Sequence, residues 1–111
     1  KACKKVSEKY NVDIGVSPQF CDIYRVASQV DVPVYSQHID GIDGGSHTGQ
    51  ILAQCVKDAG AIGTLVNHSE RRLTLADIDS SVKAAGKAGL STIVCTNNVN
   101  TSASAASLGP D

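Results

Sequence analysis

The sequence predicts an α/β fold in which parallel strands alternate with helices. Short apolar runs and longer helical patterns alternate four times along the 111 residues, without Ser/Gly linkers between them. Strands separated by helices of this length are typical of parallel βαβ units. The pattern alone leaves a doubly wound sheet and a closed barrel open, although the Gly-x-Gly-x-x-Gly dinucleotide fingerprint that would favour the first is absent.

The first half of the chain is predicted to begin in a helix and to continue through two strands. Residues 1–10 form the tail of a helix with one apolar face, made by Cys3, Val6 and Tyr10. Two β-rich runs follow, at residues 12–16 and 33–38. Between them, from about Phe20, a helix is predicted from apolar residues at helical spacing: Ile23, Val26, Ala27 and Val30. Residues 41–49 hold too many glycines for regular structure and are predicted to be a loop.

The second half repeats the alternation of helix and strand. A helix closed by Gly60 has an apolar stripe formed by Ile51, Leu52, Cys55, Val56 and Ala59. The helix closed by Gly89 is striped by Leu75, Ile78, Val82 and Ala85. Two strands are predicted, at residues 61–66 and 91–95, followed by a weak Ala/Ser-rich helix over residues 101–108.

Charge and cysteine usage exclude several function classes. A net charge of -1 provides no electrostatic footprint for nucleic acid or an anionic membrane, and no apolar run reaches membrane-spanning length. The four cysteines are scattered without a Cys-x-x-Cys pair, which favours free thiols in a reducing cytosol. The three histidines form no close ligand pair, so no metal site is expected.

The most informative segment follows the strand of residues 61–66 and consists of Asn67, His68, Ser69, Glu70, Arg71 and Arg72. A strand end places His68 in the crevice where α/β proteins bind ligands. We expect a helix to begin directly behind it, capped by Ser69, so that the positive end of the helix dipole disfavours the imidazolium. A neutral imidazole that donates a hydrogen bond can polarise a carbonyl, which makes His68 the leading candidate for chemistry.

Three further segments stand in a consistent order around this block: Val16–Phe20, Val34–Asp40 with Gly44–Gly49, and Ile93–Asn98. Together with Val66–Arg72 they resemble the second to fifth strands of the triosephosphate isomerase family, in its archaeal branch. The resemblance implies an eight-stranded parallel β/α barrel, which needs roughly 200 residues or more. Residues 1–111 are therefore expected to be the central part of a single barrel domain, about half of it, without the first and the sixth to eighth strands.

The resemblance implies a cytoplasmic enzyme of glycolysis and gluconeogenesis, free of cofactor and metal. It interconverts dihydroxyacetone phosphate and D-glyceraldehyde 3-phosphate through an enediolate. His68 matches the family's neutral electrophile, and Glu70 matches a supporting carboxylate near the catalytic lysine. The family's catalytic Glu and Lys lie on strands outside this segment, so the segment alone is expected to be inactive.

Other residues are expected to line the site, to form ion pairs or to lie at an interface, without a chemical role. Gln37 and His38 are expected to line the site or an interface, and Arg71 and Arg72 to form structural ion pairs. The resemblance places His47 and Thr48 on a third loop that docks into a neighbouring subunit of a homo-oligomer, a tetramer or a dimer. A flexible exposed loop fits the same glycines equally well.

Two alternatives stand beside this enzyme, and the first belongs to a different functional class. One is a non-catalytic half-barrel that serves as a folding or assembly module. The other is a different barrel enzyme that acts on sugar phosphates. A catalytic base and lysine elsewhere in the coding sequence would separate the isomerase from the first alternative.

Overall fold

The computed structural model describes all 111 residues, which form a parallel three-stranded sheet flanked by helices. The strands lie in chain order as β1 (Tyr35–Ser36), β2 (Gly63–Val66) and β3 (Ser91–Val94). The central strand β2 pairs in parallel with both neighbours, so that Gly63 lies opposite Tyr35 on one side and Ser91 on the other. The predicted parallel arrangement is confirmed, and each strand lies within its predicted range.

The first predicted strand, at residues 12–16, is reduced to a single parallel bridge between Val16 and Val34. The Val16 N–H donates to the Pro33 carbonyl at 2.9 Å, and the Tyr35 N–H donates to the Val16 carbonyl at 2.8 Å. Strand β1 is also shorter than predicted: it ends at Ser36, whose hydroxyl donates to the His38 carbonyl. Local apolar character thus predicted the position of these segments but overestimated their pairing.

Five α-helices connect and cover the strands: α1 (Ala2–Tyr10), α2 (Ile23–Ala27), α3 (Ala53–Asp58), α4 (Leu75–Ala88) and α5 (Val99–Ala106). A 3₁₀ turn, Phe20–Asp22, leads into α2, which ends before Val30. Helix α3 begins later than predicted, because Ile51 bonds to Asp40 instead of entering the helix. Gly89 ends α4 as predicted, in the left-handed conformation with φ 69°.

The main core lies between the sheet and helices α2, α3 and α4, and consists of Ile23, Val34, Ile39, Ala53, Val56, Ala61, Ala85 and Leu90. A second, smaller cluster of Val66, Ile78 and Val82 fixes the carboxyl end of β2 against α4. Ile93 of β3 is 47% exposed, so part of the sheet is not covered by this chain. None of the helices has the length and apolar character that crossing a bilayer requires.

Candidate functional site

A cavity of about 390 Å³ opens where β1 and β2 end, and nine residues line it: Ser17, Gln19, Phe20, Gln37, His38, Leu65, His68, Glu70 and Arg71. The structure therefore brings His68 and Glu70 together with Gln37 and His38, which the sequence placed on a different strand. The carboxyl ends of parallel strands meet at one edge of a sheet, and this explains the convergence.

His68 does not stand at the start of a helix, and the prediction that a helix begins directly behind it was wrong. Helix α4 begins only at Leu75, where Thr74 and Asp77 form a reciprocal capping box. Ser69 is therefore not its cap. The residues behind His68 form a turn in which the Arg71 N–H donates to the His68 carbonyl at 2.8 Å. His68 is therefore not held at the positive end of the α4 dipole.

Asn67 fixes the loop that follows β2. Its backbone adopts φ 59°, a left-handed conformation that Asn tolerates better than most residues. Its buried side chain donates to the Cys95 carbonyl at 2.9 Å and accepts the Leu73 N–H at 2.8 Å. Sequence reasoning assigned no role to Asn67, although an Asn directly after a buried strand is a signal for such a turn.

Arg72, within the same loop, bonds to both ends of the connection that Asn67 makes. Its guanidinium donates to the Asn67 carbonyl at 3.0 Å and reaches the Cys95 carbonyl at 3.5 Å. It forms no ion pair, so the prediction of a structural ion pair was wrong for Arg72. Arg71 does form one, at 3.5 Å from Asp40.

Two groups of Glu70 contact the same nitrogen of the His68 ring and favour different tautomers. The Glu70 N–H lies 3.3 Å from Nδ1, and the Glu70 carboxylate lies 3.4 Å from the same atom. The amide requires a lone pair on Nδ1, whereas the carboxylate favours a proton there. The amide is fixed by the turn and the carboxylate side chain is 89% exposed, so the amide contact decides. A neutral ring that accepts at Nδ1 carries its proton on Nε2, where it serves as a donor.

A second group of polar side chains meets at the same end of the sheet. The His38 side chain is 4% exposed, and its Nε2 lies 2.9 Å from Asp40 Oδ1. The other carboxylate oxygen accepts the Ile51 N–H at 2.6 Å. Burial raises the pKa of Asp40, but hydrogen bonds from His38 and Ile51 and the charges of His38 and Arg71 outweigh it and lower the pKa below its ordinary value. Sequence reasoning missed Asp40, whose only local signal is its position two residues after His38.

The third loop, residues 41–50, contributes no side chain to the cavity. His47 and Thr48 are exposed, and a left-handed φ of 82° at Gly49 lets the loop turn back. The loop bonds to itself, with the His47 N–H donating to Gly45 and the Gln50 N–H donating to His47, each at 3.1 Å. Docking of this loop into a neighbouring subunit stays a prediction.

The structure shows no group of three His, Cys, Asp or Glu side chains arranged to hold a metal ion. All four cysteines are free.

Comparisons with known proteins agree on one family. The family model described as triosephosphate isomerase matches residues 1–108. The triosephosphate isomerases of Methanococcoides burtonii and Methanosarcina barkeri are 66% and 63% identical over 111 residues, which are 100% of this chain and 50% of each relative. The crystal structure of triosephosphate isomerase from Bartonella henselae superimposes with a TM-score of 0.74 and 25% identity, covering 83% of this chain and 43% of that one. This chain thus spans about half the length of the curated relatives it matches.

Proposed function

Because this chain belongs to the triosephosphate isomerase family, we propose that it supplies the imidazole-bearing half of an enzyme that interconverts dihydroxyacetone phosphate and D-glyceraldehyde 3-phosphate. In this proposal residues 1–111 contribute the second to fifth strands of one eight-stranded barrel domain. The first and the sixth to eighth strands belong to the other half of the enzyme. The parallel sheet and the likeness to the Bartonella henselae enzyme support this arrangement.

The observation that carries the proposal is the environment of His68 in the cavity. The reaction moves a proton between two adjacent carbons, and negative charge develops on the oxygen of the substrate carbonyl as the enediolate forms. A neutral imidazole with Nδ1 bonded to the Glu70 amide presents Nε2–H as a donor toward such an oxygen. It stabilises the developing charge without giving up a proton outright.

Glu70 is proposed to support His68 and not to act as the base. Its amide and its carboxylate both lie beside Nδ1, whereas the donor to substrate is Nε2 on the other side of the ring. The family resemblance assigns the base to a Glu after the sixth strand and charge neutralisation to a Lys on the first strand. Both strands are proposed to belong to the other half of the enzyme.

The third loop is proposed to join subunits of a homo-oligomer, a tetramer or a dimer. Its support is the exposure of His47 and Thr48 on a loop with its own internal hydrogen bonds. Such a loop presents a defined surface to a neighbour. The enzyme is further proposed to act in the cytoplasm, in glycolysis and gluconeogenesis, without a cofactor.

The test is an activity assay on a complete barrel, made by putting residues 1–111 in place of the matching 111 residues of the Methanococcoides burtonii relative. The parental relative is the positive control, and thermal unfolding establishes that the chimera folds. We expect isomerase activity in the chimera and none in residues 1–111 alone. A folded but inactive chimera would contradict the proposal and favour a non-catalytic assembly module. Activity in residues 1–111 alone would show that this half supplies its own base.

A further inference from the structure

Asp40 closes the neck of the third loop. Its N–H donates to the Ile51 carbonyl at 2.9 Å, and the Ile51 N–H donates back to its Oδ2 at 2.6 Å. Gly41, the next residue, packs so closely on α4 that a Cβ there would collide with the backbone of Ser80 and Ser81. The start of the loop is therefore held to the body of the protein, while its tip is exposed.

The other carboxylate oxygen of Asp40 faces the loop that carries His68. Oδ1 lies 2.9 Å from His38 Nε2 and 3.5 Å from the guanidinium of Arg71. Arg71 belongs to the turn behind the catalytic candidate, since its N–H donates to the His68 carbonyl at 2.8 Å. One carboxylate thus links the neck of the third loop to the turn of His68.

The burial of Asp40 and His38 makes the connection between the neck of the third loop and the turn of His68 rigid. The Asp40 side chain is 19% exposed and His38 is more deeply buried, so neither group exchanges its partner freely for water. The Asp40 carboxylate is ionised at neutral pH, where it attracts Arg71, and the charge of Arg71 is one of the causes that lower the pKa of Asp40. Arg71 is 54% exposed and would otherwise be free to move in solvent.

We propose that Asp40 is a positioning residue for the isomerase reaction, which through Arg71 holds the turn of His68 in register with the neck of the third loop. This inference rests on the proposed function. A displacement of a catalytic group by about 1 Å can cost about a hundredfold in rate, so even a small shift of the turn matters. Contacts made at the tip of the third loop would then affect the position of His68 through Asp40 and Arg71.

The test substitutes Asp40→Asn in the complete, active enzyme. The amide keeps an oxygen for the Ile51 N–H but loses the charge that attracts Arg71. We expect kcat to fall by about tenfold or more with KM changed by less than about threefold, because the donor is displaced and the rest of the cavity is retained. The matched control is Asp79→Asn, which removes a carboxylate paired with Lys83 on α4, away from the cavity. It should leave kcat unchanged.

A double-mutant cycle with His68→Gln separates positioning from a general structural role. If Asp40 acts through His68, Asp40→Asn should cost less than about twofold in kcat once the imidazole is absent. Losses that multiply in the double variant would overturn the inference, and so would an unchanged kcat in Asp40→Asn itself.

Arg71→Gln provides the same comparison without touching a buried group, should Asp40→Asn fail to fold. It should lower kcat in the parent and have little further effect beside His68→Gln, and multiplying losses would again overturn the inference. An inactive parent enzyme would instead count against the proposed function, so the two failures are distinguishable.

Discussion

Two loops at the same end of the sheet are built in opposite ways. The loop after β2, residues 67–74, is tied to other elements by the buried Asn67 side chain, by Arg72 and by the Thr74 cap. The third loop, residues 41–50, is held at its neck by Asp40 and contacts α4 through an exposed pair, Asp43 and Lys87 at 3.4 Å, while the backbone hydrogen bonds of residues 45–50 join these residues to one another. Bonds to a neighbouring strand fix a side chain in place, whereas an exposed loop keeps the freedom to meet another surface.

The difference matches the roles proposed for the two loops. A donor aimed at developing charge is effective only when its position is set before the substrate arrives. The loop after β2 meets that need with short bonds from Asn67 and a turn closed by Arg71. The third loop has no such requirement, because its proposed partner is a second copy of the chain. Substitutions in the two loops should therefore affect different properties.

The largest effect is expected from His68→Gln in the complete enzyme. Removing one donor to a developing oxyanion costs about 2.7–4 kcal/mol, which corresponds to a fall in kcat of about a hundredfold to a thousandfold. The fold should remain intact, because the His68 ring is 42% exposed and lies in the cavity. Steady-state assays with circular dichroism measure both properties. Activity within a few-fold of the parent would remove His68 from the mechanism.

Asn67→Ala should produce the largest loss of stability in this loop. It leaves the Leu73 N–H without a partner, leaves the Cys95 carbonyl with only the 3.5 Å contact from Arg72, and places Ala at φ 59°. Together these should lower the free energy of unfolding by about 2–4 kcal/mol, measured by urea denaturation at fixed protein concentration.

Asn67→Gly is the matched control, because it loses the same hydrogen bonds but tolerates the left-handed backbone. It should cost less than Asn67→Ala by about 1 kcal/mol. Equal losses would show that the backbone conformation contributes nothing, and losses below about 0.5 kcal/mol in both would mean that the loop is not held by Asn67.

Shortening the third loop between Gly44 and Gly49 should change assembly more than protomer stability. We expect smaller oligomers by size exclusion with light scattering, and lower activity, because the neighbour loses a supporting surface. A Gly/Ser loop of the same length is the control and separates loop length from the side chains of His47 and Thr48. An oligomer of unchanged size would show that the loop is merely mobile and exposed.

The smallest effect concerns pH. The folded-state pKa of Asp40 lies below the ordinary 3.8, so its stabilising contribution is full above that value and is lost as the pH falls below it. At neutral pH, Asp40→Asn should therefore lower the free energy of unfolding by about 1 kcal/mol. The difference in the free energy of unfolding between the parent and Asp40→Asn should become smaller as the pH falls below 3.8. Asp79→Asn removes an exposed i,i+4 pair with Lys83, so its free energy of unfolding at neutral pH should differ less from that of the parent. If the difference between the parent and Asp40→Asn does not change with pH, the charge of Asp40 does not contribute to stability.

The sequence alone predicted the alternation of strands and helices, the parallel sheet and the carboxyl end of α4. These features depend on local patterns: an apolar run fits a strand, spacing of three and four fits a helix face, and Gly89 ends a helix because it accepts a left-handed φ. The block from Asn67 to Arg72, together with three further segments in a consistent order, also identified the family, which the comparisons confirm. Each of these signals is a local pattern of residues that lie close together in the chain.

Only the tertiary structure decided which partners the polar side chains near the strand ends bond to. The Asp40 carboxylate bonds to Ile51 and to Arg71, and Asn67 bonds to Cys95, through partners that no local pattern identifies. The same is true of residues 12–16, where β character was present but pairing was limited to one bridge at Val16. A hydrogen bond between distant segments depends on where the fold places both ends, whereas a helix or a strand depends first on its neighbours along the chain.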